Sequence, residues 1–460
     1  MKTLSAKVKI CGLTLIEILA LILLADFNRA AAQGLAFTTN TFSVGKSQNS
    51  VVIADVNGDG NLDLIFMTSY PTLAVFTNDG RAGFTLSSQV YQGYMGYISP
   101  QFIVPADING DGKVGLIAGN NAGSAIILTN NGSGGFGSNT MYLKLVQNFM
   151  TCIAAADVNG DGKADLICVN NNIQGGSPAL VVWTNNGSGL FGSNATLNVG
   201  SGPEWVCAAD VNGDGYVDLI SANYFANTLT VLTNNGSGVF GSNATLNVGR
   251  GPCCVAAADI NGDGKMDLIS ANGVDYTLTV LTNNGGGIFG SNATITLGSQ
   301  PVSIATADVN GDGKVDLIPR FYLSTTVMIL TNDGSGSFGT NLIPTGVLQN
   351  YIAAADLNAD GKLDLVIANS SQNLMVLMNN STFPPPSFIP SLAINQQSNF
   401  LNLIWPSESP GWSLQENPDL TKTNWLPSGY GGYSIADDGT NKSLTLPLHV
   451  GNLFFRLLHP

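Results

Sequence analysis

The chain has 460 residues, 44% of them hydrophobic and only 10% charged, which is length enough for one large domain and a small one. Its 55 glycines and thin supply of good helix formers point to an all-β, turn-rich protein. With 17 Lys and Arg, no basic cluster and a formal charge of −14, the sequence argues against a nucleic-acid partner.

Residues 1–32 carry Lys2, Lys7 and Lys9, an apolar run from Ile10 to Leu24, and Ala30-Ala31-Ala32 before Gln33. That pattern predicts a secretory signal peptide cut among the small residues. Gly12-Leu13-Thr14-Leu15-Ile16-Glu17 also resembles a type IV prepilin leader, but no long pilin-type helix follows. Either route exports the chain to the outside or the cell surface, and no second apolar stretch is long enough to span a membrane.

From residue 33 to 381 one ten-residue loop recurs seven times, its copies starting 52, 50, 53, 49, 49 and 48 residues apart. Position 1 is Asp55, Asp107, Asp157, Asp210, Asp259, Asp308 or Asp356, and position 3 is Asn57, Asn109, Asn159, Asn212, Asn261, Asn310 or Asn358. Position 5 is Asp59, Asp111, Asp161, Asp214, Asp263, Asp312 or Asp360. Position 9 is Asp63, Asp165, Asp218, Asp267, Asp316 or Asp364, with Gly115 in the second copy. Carboxylate and amide oxygens gathered around a Gly turn suit calcium, a hard cation that takes six to eight oxygens.

An EF-hand loop would close with Glu at position 12, where this chain has Phe66, Ala118, Cys168, Ser221, Ser270, Pro319 and Ile367. The closing ligand is therefore expected at position 9, with the main-chain carbonyl of position 7 beside it: Asn61, Lys163, Tyr216, Lys265, Lys314 or Lys362. Hairpin turns that bind nothing explain one such copy well, and seven sets of crowded carboxylates poorly. Six loops are complete, and the one with Gly115 is expected to be weak or empty. Twenty of the 31 acidic residues lie in these loops, so the acidity is mostly ligand.

Short apolar runs flank each loop and read as strands. The unit from Gly202 to Gly249 shows four: Trp205 to Ala209, Asp218 to Ala222, Thr228 to Thr233 and Phe240 to Val248. Four short antiparallel strands per repeat make a propeller blade. A Phe-Gly pair at Phe136, Phe191, Phe240, Phe289 and Phe338, with Phe84 as a variant, marks six fourth strands. The seventh blade lacks its own. The run from Leu35 to Gly45 matches the end of a fourth strand, so it is expected to pair with blade seven and close the ring, leaving no open edge.

Loop, period and flanking strands together resemble the FG-GAP/VCBS repeat family, whose relatives include the integrin α-subunit propellers. The resemblance implies a seven-bladed β-propeller with four-stranded blades and calcium loops. The Gly-Ala-Pro element of integrins is replaced by Ser221-Ala222-Asn223 and Ser270-Ala271-Asn272, so it does not extend to integrin-like ligand recognition.

Calcium loops join first to second strands, so the opposite face collects the second-to-third and blade-to-blade connections. Aromatics gather there: Tyr70, Tyr91, Tyr94, Tyr97, Phe102, Trp205, Tyr224, Phe225, Tyr276, Phe321 and Tyr322. Rings of this kind stack on sugars or anchor a protein partner, and Tyr97, Trp205, Tyr224, Tyr276 and Tyr322 are the candidate ligand residues. Capping the core of the ring is the alternative. The only histidines, His449 and His459, lie outside the propeller, so Ser-His or His-metal chemistry is not expected in the ring. A carbohydrate-active enzyme such as a Tyr-and-Arg polysaccharide lyase on this scaffold is the rival to a binding and adhesion module.

Five cysteines follow the leader, an odd number without metal spacing, and they read as small buried hydrophobes, with a Cys152 to Cys168 bridge as the alternative. Residues 382–390 form a proline-rich linker, and 391–460 alternate like strands around Leu403, Trp405 and Leu453 to Leu458. A small C-terminal β-sandwich-like domain is predicted, resembling terminal domains of exported bacterial proteins.

Overall fold

The computed structural model describes residues 35–44, 48–68, 72–91, 102–136, 141–144, 150–171, 177–334 and 336–381, with seven strands of the tail. The leader, Tyr70, Tyr94, Tyr97, the linker and both histidines lie outside the described residues.

Seven four-stranded antiparallel sheets follow one another in chain order, as the loop spacing predicts. Blade four, for example, is Pro203–Ala209, Asp218–Asn223, Thr228–Asn234 and Phe240–Asn247. Blade seven takes its outer strand from the N-terminal side: Phe37–Ser43 pairs antiparallel with Asn373–Asn379, from Phe37 opposite Asn379 to Ser43 opposite Asn373. The Ser381 hydroxyl accepts the Ala36 amide, and the Asn380 amide donates to the Ala36 carbonyl, which fastens the seam.

Burial explains the strand sequences. The second strands Asp218–Asn223, Asp267–Asn272 and Asp364–Asn369 are buried at every residue, because a neighbouring blade covers each face of the sheet. Their apolar runs are therefore continuous rather than alternating. Fourth strands such as Phe191–Asn198 form the rim and alternate between half-buried and exposed. The core consists of seven wedges, one between each pair of adjacent blades. Val231 of blade four packs with Leu268 of blade five, and Leu357 of blade seven with Val51 of blade one.

In blade two Phe136 bridges Asn130 ahead of the fourth strand, which is Met141–Lys144, so the Phe-Gly pair there does not open the strand. All five cysteines are free, which favours packing over a Cys152 to Cys168 bridge. The tail forms one sheet of Ala393–Gln397, Phe400–Pro406, Asn441–Pro447 and Ala436–Asp437, and a second of Leu426–Pro427, Ser413–Asn417 and Phe454–Leu458. Leu403 and Leu444 face each other across the first of these and are buried.

Candidate cation loops and the opposite face

In all seven loops the position-1 carboxylate accepts the amide of position 6, as Asp259 does from Gly264 at 2.8 Å. Asp259 also accepts the amide of Gly262 at 2.7 Å, and Asp263 accepts that of Lys265 at 3.0 Å. The turn needs left-handed backbone, with φ of 74° at Gly262 and 82° at Gly264. Ala359 adopts φ 57° at the equivalent of Gly262, a conformation that costs a non-Gly residue about 1–2 kcal/mol.

The position-9 carboxylates are fully buried. One oxygen of Asp267 accepts the amide of Ile260 at 3.1 Å and the other that of Asn283 at 2.7 Å. The same pair of bonds recurs at Asp63, Asp165, Asp218, Asp316 and Asp364. Burial, reinforced by the aspartates at positions 1 and 5, pushes all six up; Asp316 rises to about 7 and Asp364 to about 6.

The donor set fits a hard cation: three carboxylates, an Asn oxygen and a main-chain carbonyl, with two lone-pair sites left on each position-9 carboxylate after its amide bonds. The hydrogen-bonded arrangement does not itself gather them. Among the described residues no three His, Cys, Asp or Glu side chains converge at metal-binding distance.

At Gly115 the space for a carboxylate is filled. A Cβ there would stand 2.9 Å from the Leu128 carbonyl oxygen and 3.0 Å from the Ile108 side chain.

Sequence reasoning missed a second ring of residues. An Asn ends the third strand in six blades, at Asn78, Asn185, Asn234, Asn283, Asn332 and Asn379, and in blade two Asn130 follows that strand by two residues; all seven are buried. Each side-chain amide donates at 2.6–2.9 Å to the position-2 carbonyl of the preceding blade's loop, as Asn283 does to Val211. It also donates to its own position-8 carbonyl, Met266 for Asn283. Each loop is thus tied to the next blade by a buried bond. The signal was present as an Asn repeated at or just past the end of each third strand.

On the opposite face, Phe225 (63% exposed) lies edge-on to Tyr224, with ring centroids 5.3 Å apart. A Cβ on Gly202 would collide with Phe225 at 2.4 Å, so that glycine makes room for the ring. Tyr276 and Tyr322 are exposed in the matching connections of blades five and six. Tyr276 holds φ of 59° at the position where Asn227 stands comfortably in blade four at 57°, and Leu323, two residues past its second strand, holds 52°.

Two expectations are corrected. Phe321 is buried between blades five and six, because its strand turns it into that wedge. Trp205 sits on the innermost strand and lines a cavity on the ring axis with Arg320 and Tyr351, so it is not part of the exposed patch. Tyr97 lies outside the described residues.

No curated protein matches the chain. Solved structures share the fold. The BBS1N chain crystallised in complex with ARL6DN aligns with a TM-score of 0.55 at 12% identity, over 76% of this chain and 100% of that one. Sqt1 of Saccharomyces cerevisiae aligns at 0.50 and 8% identity, over 76% and 99%. An Agrocybe aegerita lectin described as recognising non-reducing terminal N-acetylglucosamine aligns at 0.48 and 19% identity, over 76% and 97%. The model of the FG-GAP-like repeat matches residues 55–118, 107–168, 157–221, 210–270 and 260–318, each match running from one loop through the next, and together they cover more than half the sequence. The chain belongs to the FG-GAP-like repeat family.

Proposed function

We propose that this chain is an exported binding module in which calcium, held by the six complete loops, steadies one face while the other takes an extracellular carbohydrate or protein ligand. The observation that carries the reading is the row of exposed side chains Phe225, Tyr276 and Tyr322 on matching connections of three adjacent blades. Exposed rings cost solvation, and a Tyr at positive φ costs about 1 kcal/mol or more, so the ring's own stability does not account for them.

Calcium is the natural counter-charge for the loops, since the position-9 carboxylates are buried beside two other acids. Export agrees with this, because calcium is abundant outside the cell, and it rests on the pattern of residues 1–32.

The test is incubation of the protein with a panel of polysaccharides, in calcium and in chelator, scoring both retention and chain shortening. Calcium-dependent retention without shortening is expected. Shortening of any polymer would make the face an active site and overturn the reading. If no polysaccharide is retained, the carbohydrate arm fails and a protein ligand remains for the same face.

A further inference from the structure

The repeats supply an internal comparison that singles out one residue. Near the end of the second strand, blades four, five and seven place Ala222, Ala271 and Ala368 opposite Trp205, Cys254 and Tyr351. Those alanines are fully buried. At the same register blade six places Arg320 opposite Ser303. A guanidinium thus replaces a buried methyl group near the end of the second strand Asp316–Phe321, one residue before the strand passes into the connection that holds Tyr322.

Arg320 is only partly satisfied. Its Nε donates to the Ser303 hydroxyl at 3.1 Å and its Nη1 to the Gln349 carbonyl at 3.3 Å, which leaves three of five N–H donors. The ion pairs among the described residues are Lys163 with Asp161, Arg250 with Asp275 and Lys265 with Asp263, and none includes Arg320.

Its ionisable neighbours are Cys253, Cys254 and Tyr351, whose protons burial holds in place, so they offer no negative charge at neutral pH. Glu204, whose charge acts on the same Cys253 thiol as Arg320 does, accepts the Asn171 side-chain amide at 3.1 Å and takes part in none of these ion pairs. Gln349 is 3% exposed, and neither of its side-chain amide atoms has a partner. A half-buried cation without a counter-charge is costly to the fold, and unpaired buried amides add to that cost.

The cavity beside Arg320 encloses about 50 Å³ and is lined by Trp205, Ser303, Arg320, Tyr351 and Ile352. A single water needs about 10–15 Å³ of such cavity space, so there is room for a few waters or for one carboxylate. Arginine's planar fork matches that group with two parallel hydrogen bonds.

We propose that Arg320 anchors a carboxylate-binding subsite at the axial mouth of the ring, taking one carboxylate of an acidic ligand that lies across the aromatic face. The proposal rests on that face being the ligand face. Trp205 and Tyr351 flank the carboxylate, and the rest of the ligand extends outward toward Tyr322. Sources with this chemistry are a uronic acid of a polysaccharide and the C-terminal carboxylate of a peptide.

The test is the melting temperature of the full chain in sodium acetate against sodium chloride at equal ionic strength, for wild type and Arg320→Ala. The variant restores the residue that three other blades carry, so it is expected to fold and to melt no lower than wild type. Acetate should raise the wild-type melting temperature, and the apparent affinity should fall at least tenfold in Arg320→Ala.

No rise in wild type, an equal rise with chloride, or an unchanged rise in the variant would overturn the subsite. A variant that melts well below wild type would make Arg320 a structural residue and overturn it as well. Galacturonate and N-acetylglycine, tested in parallel, distinguish a sugar acid from a chain terminus by which binds more tightly. An acetate response that survives failed polysaccharide retention breaks the carbohydrate arm of the face reading alone, and retention without an acetate response breaks the subsite alone.

Discussion

On the loop face of the ring the same hydrogen bonds recur from blade to blade, whereas on the opposite face the matching connections of blades four, five and six carry Phe225, Tyr276 and Tyr322 on different sequences. The loop face is satisfied within itself: buried carboxylates take amides, and buried Asn side chains take the neighbouring blade's carbonyls. The other face carries features that are costly to the fold: exposed rings, positive φ at Tyr276 and a half-buried, unpaired cation at Arg320. Repetition marks the chemistry that lets the ring stand. Departures from it, on the proposed reading, mark the ligand face.

The sharpest way to break this comparison is to remove calcium. Each site saturated at a hundredfold excess over its dissociation constant contributes about 2.7 kcal/mol, so chelation should lower the melting temperature by on the order of 10–20 °C. In chelator the pH response is also fixed in sign. Asp316 and Asp364 have folded-state values of about 7 and about 6, raised above the ordinary 3.8 by burial and by neighbouring acids. The folded form therefore binds those protons more tightly, and their contribution is lost as pH rises through 6 to 7. Chelated protein should melt higher at pH 5.5 than at pH 8, and calcium should remove that preference by favouring the ionised form.

Asp218→Ala comes next. It leaves the buried amides of Val211 and Asn234 without acceptors and should cost about 2–5 kcal/mol in denaturant unfolding. Asp107→Ala, in the blade whose closing carboxylate is already replaced by Gly115, should cost clearly less. Asn283→Ala removes the bond to the Val211 carbonyl across the blade boundary and should cost about 1–3 kcal/mol. The smallest change has the opposite sign: Tyr276→Asn places at φ 59° the residue that blade four uses at 57°, and should raise stability by about 1 kcal/mol while weakening ligand retention.

Much of this was legible in the sequence because repetition multiplies a weak local signal. One Asp-Asn-Gly turn is ambiguous, but seven spaced 48 to 53 residues apart fix the blade, and Leu35 to Gly45 could be placed as the missing strand because it copies the fourth strand of other blades. The Asn ring went unread since Asn at a strand end looks like ordinary turn chemistry. Its partner, Val211 for Asn283, is 72 residues away, and only the closed ring brings the two together. Trp205 and Phe321 were misplaced for a related reason: chain position assigns a residue to one end of a strand, but the pleat and the neighbouring blade decide whether it faces solvent, wedge or axis.

The measurement that tests the account most directly is a calorimetric calcium titration of the chelator-stripped protein at pH 7.5, repeated on Asp218→Ala. Six bound ions in wild type and one fewer in the variant are the predicted result. Absence of calcium uptake, together with a melt that chelation leaves unchanged, would contradict it and reduce the seven loops to hydrogen-bonded turns.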